Sequence, residues 1–422
     1  MDASTHDRIY DYRTGEFVVA TPHLGLVLSH LDGTHAHPTA HLPELGLSLV
    51  GLPDAAAAAR QVRSRREAAG APAPVLDEAL AHRRPLERLL AELRALIGHR
   101  YGGWVPDLGK NRIMQGLHLF PYPDFGGEGA PTALAADTVL PTYGDDPEAG
   151  RQARVVVLDT AIYPHDRLAG RYVTADAHSL LATGDDEARP WWIGHATFLT
   201  GMILGRAPAA RVEIASILRP DDSGAASLWD VARKLVAYAD SGVDVMNLSF
   251  GCFTVDGQAP LVLDRAIALL TPRMVVVAAA GNYGAASQDE RGFPGPDTPV
   301  WPAAHAAVVA VGATAEPGVP APFSPRAPWV DLLAPGVDVT STYLTGTVMV
   351  PDTNLPTKEV PQQFTGVARW SGTSQAAAAV SGAIAARTVR GVRTAHQALG
   401  DLGDGLGDPS STGIETAQLP HP

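Results

Sequence analysis

The stretch RVVVLDTA (residues 154–161) decides the fold, because it is a short apolar run without a polar face that ends on a carboxylate. Similar runs recur along the chain: VEIASIL (212–218), VDVMNLSF (243–250), MVVVAAAG (274–281) and AAVVAVGA (306–313). Strands that are apolar on both faces belong to parallel sheets covered by helices. Helix-like segments lie between the runs, such as SLWDVARKLVAYADSG (227–242) and LVLDRAIALLTP (261–272). The sequence therefore predicts an α/β domain with a doubly wound, mostly parallel sheet.

The first 135 residues have a different pattern, which predicts a smaller α+β unit. The segment EFVVATPHLGLVLSHL (16–31) suggests a hairpin, and LSLVGLPDAAAAARQVRSRREAAG (47–70) suggests a strand followed by a helix that Asp54 caps. A further helix is expected from Pro85 to Gly98, and a strand in NRIMQGLHLFPY (111–122). We expect this N-terminal unit over residues 1–135, a linker over 136–153, the main domain over 154–400 and a flexible tail over 401–422.

Composition excludes several classes of function. The formal net charge is −13, which argues against a nucleic-acid partner or an anionic membrane surface, since both need an excess of Lys and Arg. The sequence contains no apolar run of about 18 residues, so we expect no membrane span. The N-terminus lacks a basic head and an apolar run, so we expect a cytoplasmic protein. Cys252 is the only cysteine, which rules out an intramolecular disulfide and suggests a small buried hydrophobic residue.

Four polar residues lie at the ends of predicted strands or the starts of predicted helices, where catalytic side chains are often found. Ser374 lies where the small-residue segment ARWSGTSQAAAAVSGAIAART (368–388) becomes helical, and its hydroxyl could be a helix cap or a nucleophile. Asp159 and Asn282 each end a predicted strand, and His195 begins an apolar helix-like segment. In a parallel sheet, functional side chains gather at the carboxyl ends of the strands. Taken singly, each of these residues is more often a cap, turn or core residue.

Together the four residues are the parts of a nucleophilic hydrolase. A serine needs an imidazole to take its proton, and a buried carboxylate to orient that imidazole and stabilise its cation. A side-chain amide such as that of Asn282 can donate to the oxyanion of the tetrahedral intermediate.

The surroundings of these residues resemble the subtilisin-like serine peptidases, the subtilase family. Six segments carry the resemblance over residues 154–388: VVVLDTA, GHATFLTGMI, DVMNLSFG, AAAGNYG, FSPRAPWVDLLAPG and SGTSQAAAAVSG. The family has the chain order Asp, His, Ser. The resemblance implies a serine endopeptidase without a cofactor, with Asp159, His195 and Ser374 as triad. The Asn282 side chain and the Ser374 backbone N–H would form the oxyanion hole.

The resemblance also implies how a peptide or protein substrate would bind. Family members hold it as an extended strand between two edges. Here the edges would be Ser249-Phe250-Gly251 and the loop at Ser223-Gly224. The first specificity pocket would be lined by Ala279, Ala280 and Gly281, with Val300 near its floor favouring a smaller side chain.

The chain departs from the family pattern in three ways. Ala161, Ala196 and Ala378 replace two glycines and a proline, and the added Cβ atoms of the first two are tolerable only without a positive φ. The segment after His195 is too short for the calcium-binding loop of many relatives, so we expect no structural metal there. The insertion 342–370 before Ser374 could shape the cleft, act as a lid or be a surface excursion.

Other chemistries lack their motifs, since neither G-x-S-x-G nor H-E-x-x-H occurs. The alternative from another class is a catalytically silent pseudo-peptidase that binds peptides or partner proteins. Three roles stay open for the N-terminal unit. It could be a prodomain that contacts the catalytic domain, blocks the cleft and is removed, a partner-recognition module, or a permanent structural part.

Overall fold

The computed structural model describes residues 11–75, 84–117, 129–182, 188–218, 224–285, 295–352, 358–403 and 414–416. In chain order its strands are β1 (Tyr12–Ala20), β2 (His37–Leu42), β3 (Leu47–Gly51), β4 (Leu108–Gly116), β5 (Thr132–Ala133), β6 (Arg154–Asp159), β7 (Tyr172–Thr174), β8 (Arg189–Pro190), β9 (Arg211–Ser216), β10 (Ala225–Ser227), β11 (Val245–Leu248), β12 (Phe250–Phe253), β13 (Val275–Ala279), β14 (Val300–Trp301), β15 (Val309–Glu316), β16 (Val319–Pro320), β17 (Leu332–Pro335), β18 (Val339–Pro351), β19 (Glu359–Trp370) and β20 (Glu415–Thr416). Its α-helices are α1 (Leu24–His30), α2 (Ala55–Ala68), α3 (Pro85–Arg100), α4 (His195–Arg206), α5 (Leu228–Ala237), α6 (Leu261–Leu270), α7 (Thr373–Arg387) and α8 (Ala395–Gly403).

The central sheet confirms the predicted doubly wound α/β fold. Within the described residues its order is β20-β17-β15-β13-β11-β6-β9-β7, and the pairs from β17 to β7 are parallel. β11 and β13 are buried at every position, as expected for strands covered on both faces. The carboxyl ends of β6 and β13 lead to Asp159 and Asn282, which brings these two residues to the same edge of the sheet.

The N-terminal unit is an antiparallel sheet with helices on one face. β4, β1, β3 and β2 lie side by side in that order, and α2 and α3 pack on them around a core of their own. A buried ion pair joins the two helices, since Arg66 Nε lies 2.6 Å from Glu92 Oε2. The opposite face carries Val18, Leu47 and Leu49, which belong to the core of the main domain. The small α+β unit is therefore packed against the main domain.

β4 is shared between the N-terminal unit and the main domain. On one side it pairs with β1, and its carboxyl-terminal half pairs antiparallel with β10 and β12. Asn111 in β4 accepts a hydrogen bond of 3.0 Å from the Trp229 amide at the start of α5. Arg112 donates to the carbonyl of Phe253 at 3.2 Å. The sheet of the N-terminal unit thus continues into strands of the main domain.

The insertion predicted at 342–370 is a long hairpin. β18 and β19 pair antiparallel from Val339↔Trp370 to Pro351↔Glu359. β8 pairs with β18, and β5 pairs with the other side of β19. Two hydroxyl groups fasten β18 to α4, since Ser341 donates to Phe198 O at 2.7 Å and Thr342 to Thr197 O at 2.8 Å. The base of the hairpin is therefore fixed to the helix that begins at His195.

Some element predictions need correction. The segment 16–31 is not a hairpin: β1 ends at Ala20 and α1 follows, because the apolar run after Pro22 packs helically against the core of the N-terminal unit. α3 begins at Pro85 as predicted but continues past Gly98 to Arg100. Of the tail expected to be loose, Asp401–Gly403 complete α8 and Glu415–Thr416 pair with β17. Residues 404–413 and 417–422 lie outside the described part of the chain.

No helix in the described ranges has both the length and the apolar composition needed to cross a bilayer.

Candidate active site

Asp159 and His195 form a buried pair at the carboxyl edge of the central sheet. His195 Nδ1 lies 2.8 Å from Asp159 Oδ1 and 2.9 Å from Oδ2, and both side chains are fully buried. The Thr160 amide also donates to Asp159 Oδ1, at 2.7 Å. A carboxylate in this position orients the imidazole and fixes which ring nitrogen carries the hydrogen.

Thr160 connects the strand that carries Asp159 to the helix that carries His195. Its hydroxyl donates to Ile193 O and accepts from the Ala196 amide, both at 3.1 Å. A second link runs from the Tyr163 amide to Thr197 Oγ1 at 2.8 Å. Sequence reasoning did not single out Thr160, although its place directly after the aspartate could have suggested a role in positioning the helix.

Ser374 lies in the first turn of α7, and its hydroxyl does not cap the helix. The N-cap residue is Gly372, and no side-chain cap bond is made there. Ser374 is fully buried, and its Oγ has no hydrogen-bond partner within the described part of the chain. A buried hydroxyl without a partner costs free energy unless something else uses it. The capping alternative is therefore not realised, and the hydroxyl is available to react.

The side chain of Asn282 is held by its oxygen. Asn282 Oδ1 accepts two bonds of 3.0 Å from Thr373, one from the amide and one from the hydroxyl. Asn282 Nδ2 is buried and has no partner among the described residues. The bonds to Thr373 assign the amide orientation, because the oxygen must face the donor groups. A donor is thus left unused beside the residue that precedes Ser374.

A cluster of aromatic side chains contacts His195 through Trp370, and sequence reasoning missed it. The Trp370 ring lies 5.2 Å from the imidazole at an interplanar angle of 82°. Trp370 also meets Trp191 and Phe198 edge-to-face, with centroids 5.6 Å apart in each case. Tyr343 donates its hydroxyl to Trp191 O and packs on Gly194, where a Cβ would lie 2.4 Å from its ring. The only signal in the sequence was the place of Trp370 just before the serine motif.

The predicted substrate-binding edges are filled by the chain's own β4. Phe250 faces Gly116 and Gly251 faces Gln115 in an antiparallel ladder. The Leu117 amide donates to Ser249 O at 3.2 Å, and the Gly116 amide donates to Gly224 O at 3.4 Å. Ser223, the other residue predicted for the second edge, lies outside the described residues.

Leu117 lies beside the predicted specificity pocket. A Cβ built on Gly251 would lie 2.8 Å from Val300 Cγ2 and 3.2 Å from Leu117 Cδ2, so the three residues meet closely. Ala279 and Ala280 are buried, and Gly281 has φ +96°, where a Cβ would lie 2.4 Å from the Tyr283 ring. The Val300 and Leu117 side chains therefore both lie against Gly251.

The candidate site is closed in this form of the chain. Asp159, His195 and Ser374 are each 0% exposed, and Asn282 is 6% exposed. β4 approaches along the Ser249 edge, and Trp370 covers His195 from the hairpin. The four side chains are therefore shielded from solvent in this form of the chain.

The departures from the family pattern do not disturb the site. Ala161 and Ala196 are not among the residues with positive φ, so their Cβ atoms are accommodated. α4 ends at Arg206 and β9 begins at Arg211, which leaves only residues 207–210 for a loop. Across the described ranges, no group of three or more His, Cys, Asp or Glu side chains is arranged to hold a metal ion. Burial raises the pKa of the Cys252 thiol to about 11, so it is not a thiolate at neutral pH.

Comparisons with known proteins concern mainly the main domain. The family model described as the subtilase family matches residues 150–390. A thermophilic serine proteinase from Bacillus sp. (strain AK1) is 32% identical over 214 residues, which is 46% of this chain and 48% of that protein. Subtilisin BL from Lederbergia lenta is 33% identical over 204 residues, covering 46% of this chain and 67% of the relative. The chain thus spans about half the length of the first of these relatives.

Among solved structures, fervidolysin from Fervidobacterium pennivorans, a keratinolytic enzyme related to subtilisin, has a similar fold. The TM-score is 0.55 at 17% identity, and the match covers 89% of this chain and 55% of that one. At this identity the likeness concerns the fold alone, and its coverage includes much of the N-terminal unit.

Proposed function

The chain belongs to the subtilase family, and on that premise we propose that it is a serine endopeptidase with Ser374 as nucleophile. The observation that carries the proposal is the buried Asp159–His195 pair at 2.8 Å together with two buried polar atoms left unpaired in the described chain, Ser374 Oγ and Asn282 Nδ2. Each unpaired atom is of the type that the reaction needs, a nucleophile and an oxyanion donor.

In the first half of the reaction, Ser374 Oγ bonds to the scissile carbonyl carbon while its proton passes to His195 Nε2. Asp159 keeps the other ring nitrogen as a donor and stabilises the imidazolium. The carbonyl oxygen becomes an oxyanion, and Asn282 Nδ2 and the Ser374 amide donate to it. When the intermediate collapses, the C–N bond breaks and His195 returns the proton to the leaving amine. Water then repeats these steps on the acyl-enzyme.

We also propose that the N-terminal unit is an internal inhibitor and the first substrate. Its strand β4 pairs with both predicted substrate edges, through Ser249 on one side and Gly224 on the other. Peptides bound by strand addition use the same backbone groups. The bond after Leu117 is the one presented for cleavage, because Leu117 pairs with Ser249 and lies beside Val300. Among the three roles considered for the unit, this arrangement favours the prodomain.

The sequence of β4 then indicates a preferred substrate. Met114 is fully buried and Leu117 is 2% exposed, so both side chains are held by the protein, whereas Gly116 lies between them. We expect preference for a medium-sized aliphatic residue before the scissile bond. Cleavage of a limited set of intracellular protein targets by this enzyme is consistent with a cleft that its own chain blocks. Cytoplasmic localisation remains a prediction from the sequence.

A peptide copying residues 113–117 (IMQGL) with a chromogenic anilide at its carboxyl end tests the proposal. We expect release of the anilide after leucine by the wild-type chain and none by Ser374→Ala. A pseudo-peptidase would bind this peptide without hydrolysing it, and that result would replace the enzyme with the alternative.

A further inference from the structure

One edge of β19 pairs with β18. Its other edge pairs with β5, a segment that lies downstream of β4 in the chain. Ala368 and Arg369 pair antiparallel with Ala133 and Thr132 of β5. The Leu134 amide donates to Val367 O at 3.1 Å. Two side chains add to this pairing, since Thr365 Oγ1 donates to Leu134 O at 2.6 Å and Trp370 Nε1 to Gly129 O at 3.1 Å.

The position of this edge relates it to the reacting bond. The chain upstream of the bond after Leu117 pairs with β12 and the Gly224 carbonyl. The next described residues, 129–134, lie beside β19, whose Trp370 contacts His195. Because His195 would protonate the leaving amine, the leaving-group side of the cleft faces the histidine. β19 therefore lies on that side.

We infer that the β19 edge is a strand-pairing surface for the leaving-group side of a peptide, and that Thr132–Leu134 of this chain occupy it. Strand pairing depends on backbone groups, so the edge fits any extended peptide without a proline at the paired amides. This inference rests on the proposed function, which defines the scissile bond.

The arrangement has a consequence for activation. A cut after Leu117 separates residues 1–117 from the rest, so β4 can dissociate with the N-terminal unit. Thr132–Leu134 stay covalently joined to the catalytic domain and remain beside Val367 and Thr365. The acyl side of the cleft opens, whereas the leaving-group side stays filled. The hairpin thus acts as a second block that cleavage alone does not remove.

Two variants weaken this block without touching the predicted catalytic residues. Leu134→Pro removes the amide that donates to Val367, and Ala133 before it is already extended, as a residue before proline must be. Thr365→Val removes the hydroxyl that donates to Leu134 O, with almost no change of shape. The matched controls are Val139→Pro, at an 87% exposed linker position, and Thr347→Val, on the same hairpin.

The measurement is kcat/KM for two substrates with the same acyl part, IMQGL. One carries an anilide as leaving group and the other continues for four residues. The extended substrate must displace Thr132–Leu134, and the anilide need not. We expect the ratio of extended to anilide kcat/KM to rise roughly threefold to tenfold in Leu134→Pro, as for one lost hydrogen bond. Thr365→Val should raise it less, and both controls should match the wild-type chain.

An unchanged ratio in Leu134→Pro, in a chain that hydrolyses both substrates, would overturn the inference and leave the proposed function intact. A parallel rise for both substrates would also overturn it, because it would indicate a general loosening of the cleft. A chain that hydrolyses neither substrate would reject the proposed function and this inference with it.

Discussion

The orientation of the Asn282 side chain is fixed by hydrogen bonds to its oxygen. Thr373 holds Asn282 Oδ1 with two donors, which leaves Nδ2 as the only part of the amide able to meet an oxyanion. Losing one such donor costs about 10²- to 10³-fold in kcat, a value known from subtilisin itself. We expect the same order for Asn282→Leu, with KM little changed, measured by steady-state hydrolysis of the anilide substrate. An unaltered kcat would contradict the assignment.

Trp370 is expected to act as a positioning residue through its contact with the imidazole of His195. An edge-to-face aromatic pair contributes about 0.5–1.5 kcal/mol. We therefore expect Trp370→Leu to lower kcat roughly threefold to tenfold with KM unchanged, and Trp370→Phe to restore most of the loss.

Trp104→Leu is the control for this prediction, since Trp104 is 43% exposed and its ring contacts are with His23 and Tyr101. Equal losses of kcat in Trp370→Phe and Trp370→Leu would show that volume, not the aromatic ring, is what matters.

Asn282 could be proposed as a site residue from the sequence, whereas the contact of Trp370 with His195 could not. Asp159, His195, Ser374 and Asn282 stand in short motifs whose order and neighbours restrict the chemistry. Trp370 reaches His195 only because the hairpin folds back onto α4, and no local pattern encodes that contact.

At the scale of elements, the proposed self-processing depends on β4 and on Leu117, which follows it. Leu117→Pro removes the amide that donates to Ser249 O. We expect the cut after residue 117 to slow at least about tenfold, because the bond is no longer held against the edge. Leu117→Met keeps both the amide and an apolar side chain and should be cut at close to the wild-type rate. An intact-mass time course of the three chains measures this, and equal rates in all three would refute the cleavage site.

Elements with strong local signals were predictable, and those decided by long-range packing were not. β6 matches the run RVVVLD, and Asp54 caps α2 by accepting from the Ala57 amide at 2.8 Å. α1 was mistaken for a strand because LGLVLSH (24–30) is apolar at both helical and alternating spacings. The pairing of β19 with β5 joins residues far apart in sequence, which periodicity does not report.

At the scale of the whole molecule, acidification is expected to weaken the N-terminal unit. Burial, together with the charges of Arg100 and Arg65, lowers the pKa of His30 below its usual 6.5. The unfolded state then binds a proton more readily than the folded state, so stability falls as the pH drops through this range. We expect His30→Gln to reduce the loss of protection of α2 and α3 between about pH 7 and pH 5, measured by hydrogen exchange corrected for the intrinsic exchange rate at each pH.

The exposed His99 on α3 supplies the control for this pH effect. His99→Gln should leave the pH dependence of exchange as in the wild-type chain. An identical pH dependence in His30→Gln and the wild type would contradict the role given to His30.

Removal of calcium is expected to have little effect on the fold. The short connection between α4 and β9, residues 207–210, leaves no room for the calcium loop of many relatives. We expect the thermal unfolding midpoint to be the same with and without a chelator. A fall of several degrees on adding the chelator would show that a bound metal ion supports the structure.

The change of pattern near residue 135 predicts two units, but it does not predict how they are connected. β4 belongs by sequence to the N-terminal unit, yet it pairs with β10 and β12 of the main domain. The predicted linker begins after β5, which already lies on the hairpin of the main domain. Both features arise from strand pairing between distant segments, where backbone groups rather than side-chain patterns make the contact.

The most direct test of the central claim is fluorophosphonate labelling of the full-length chain, followed by intact mass, with Ser374→Ala as control. The account predicts one adduct, on the fragment that contains Ser374, which increases as the cut after Leu117 proceeds. It predicts neither adduct nor cut in Ser374→Ala. A cut chain that takes up no probe, or an adduct that persists in Ser374→Ala, would contradict the claim that Ser374 is the nucleophile of a protease blocked by its own β4.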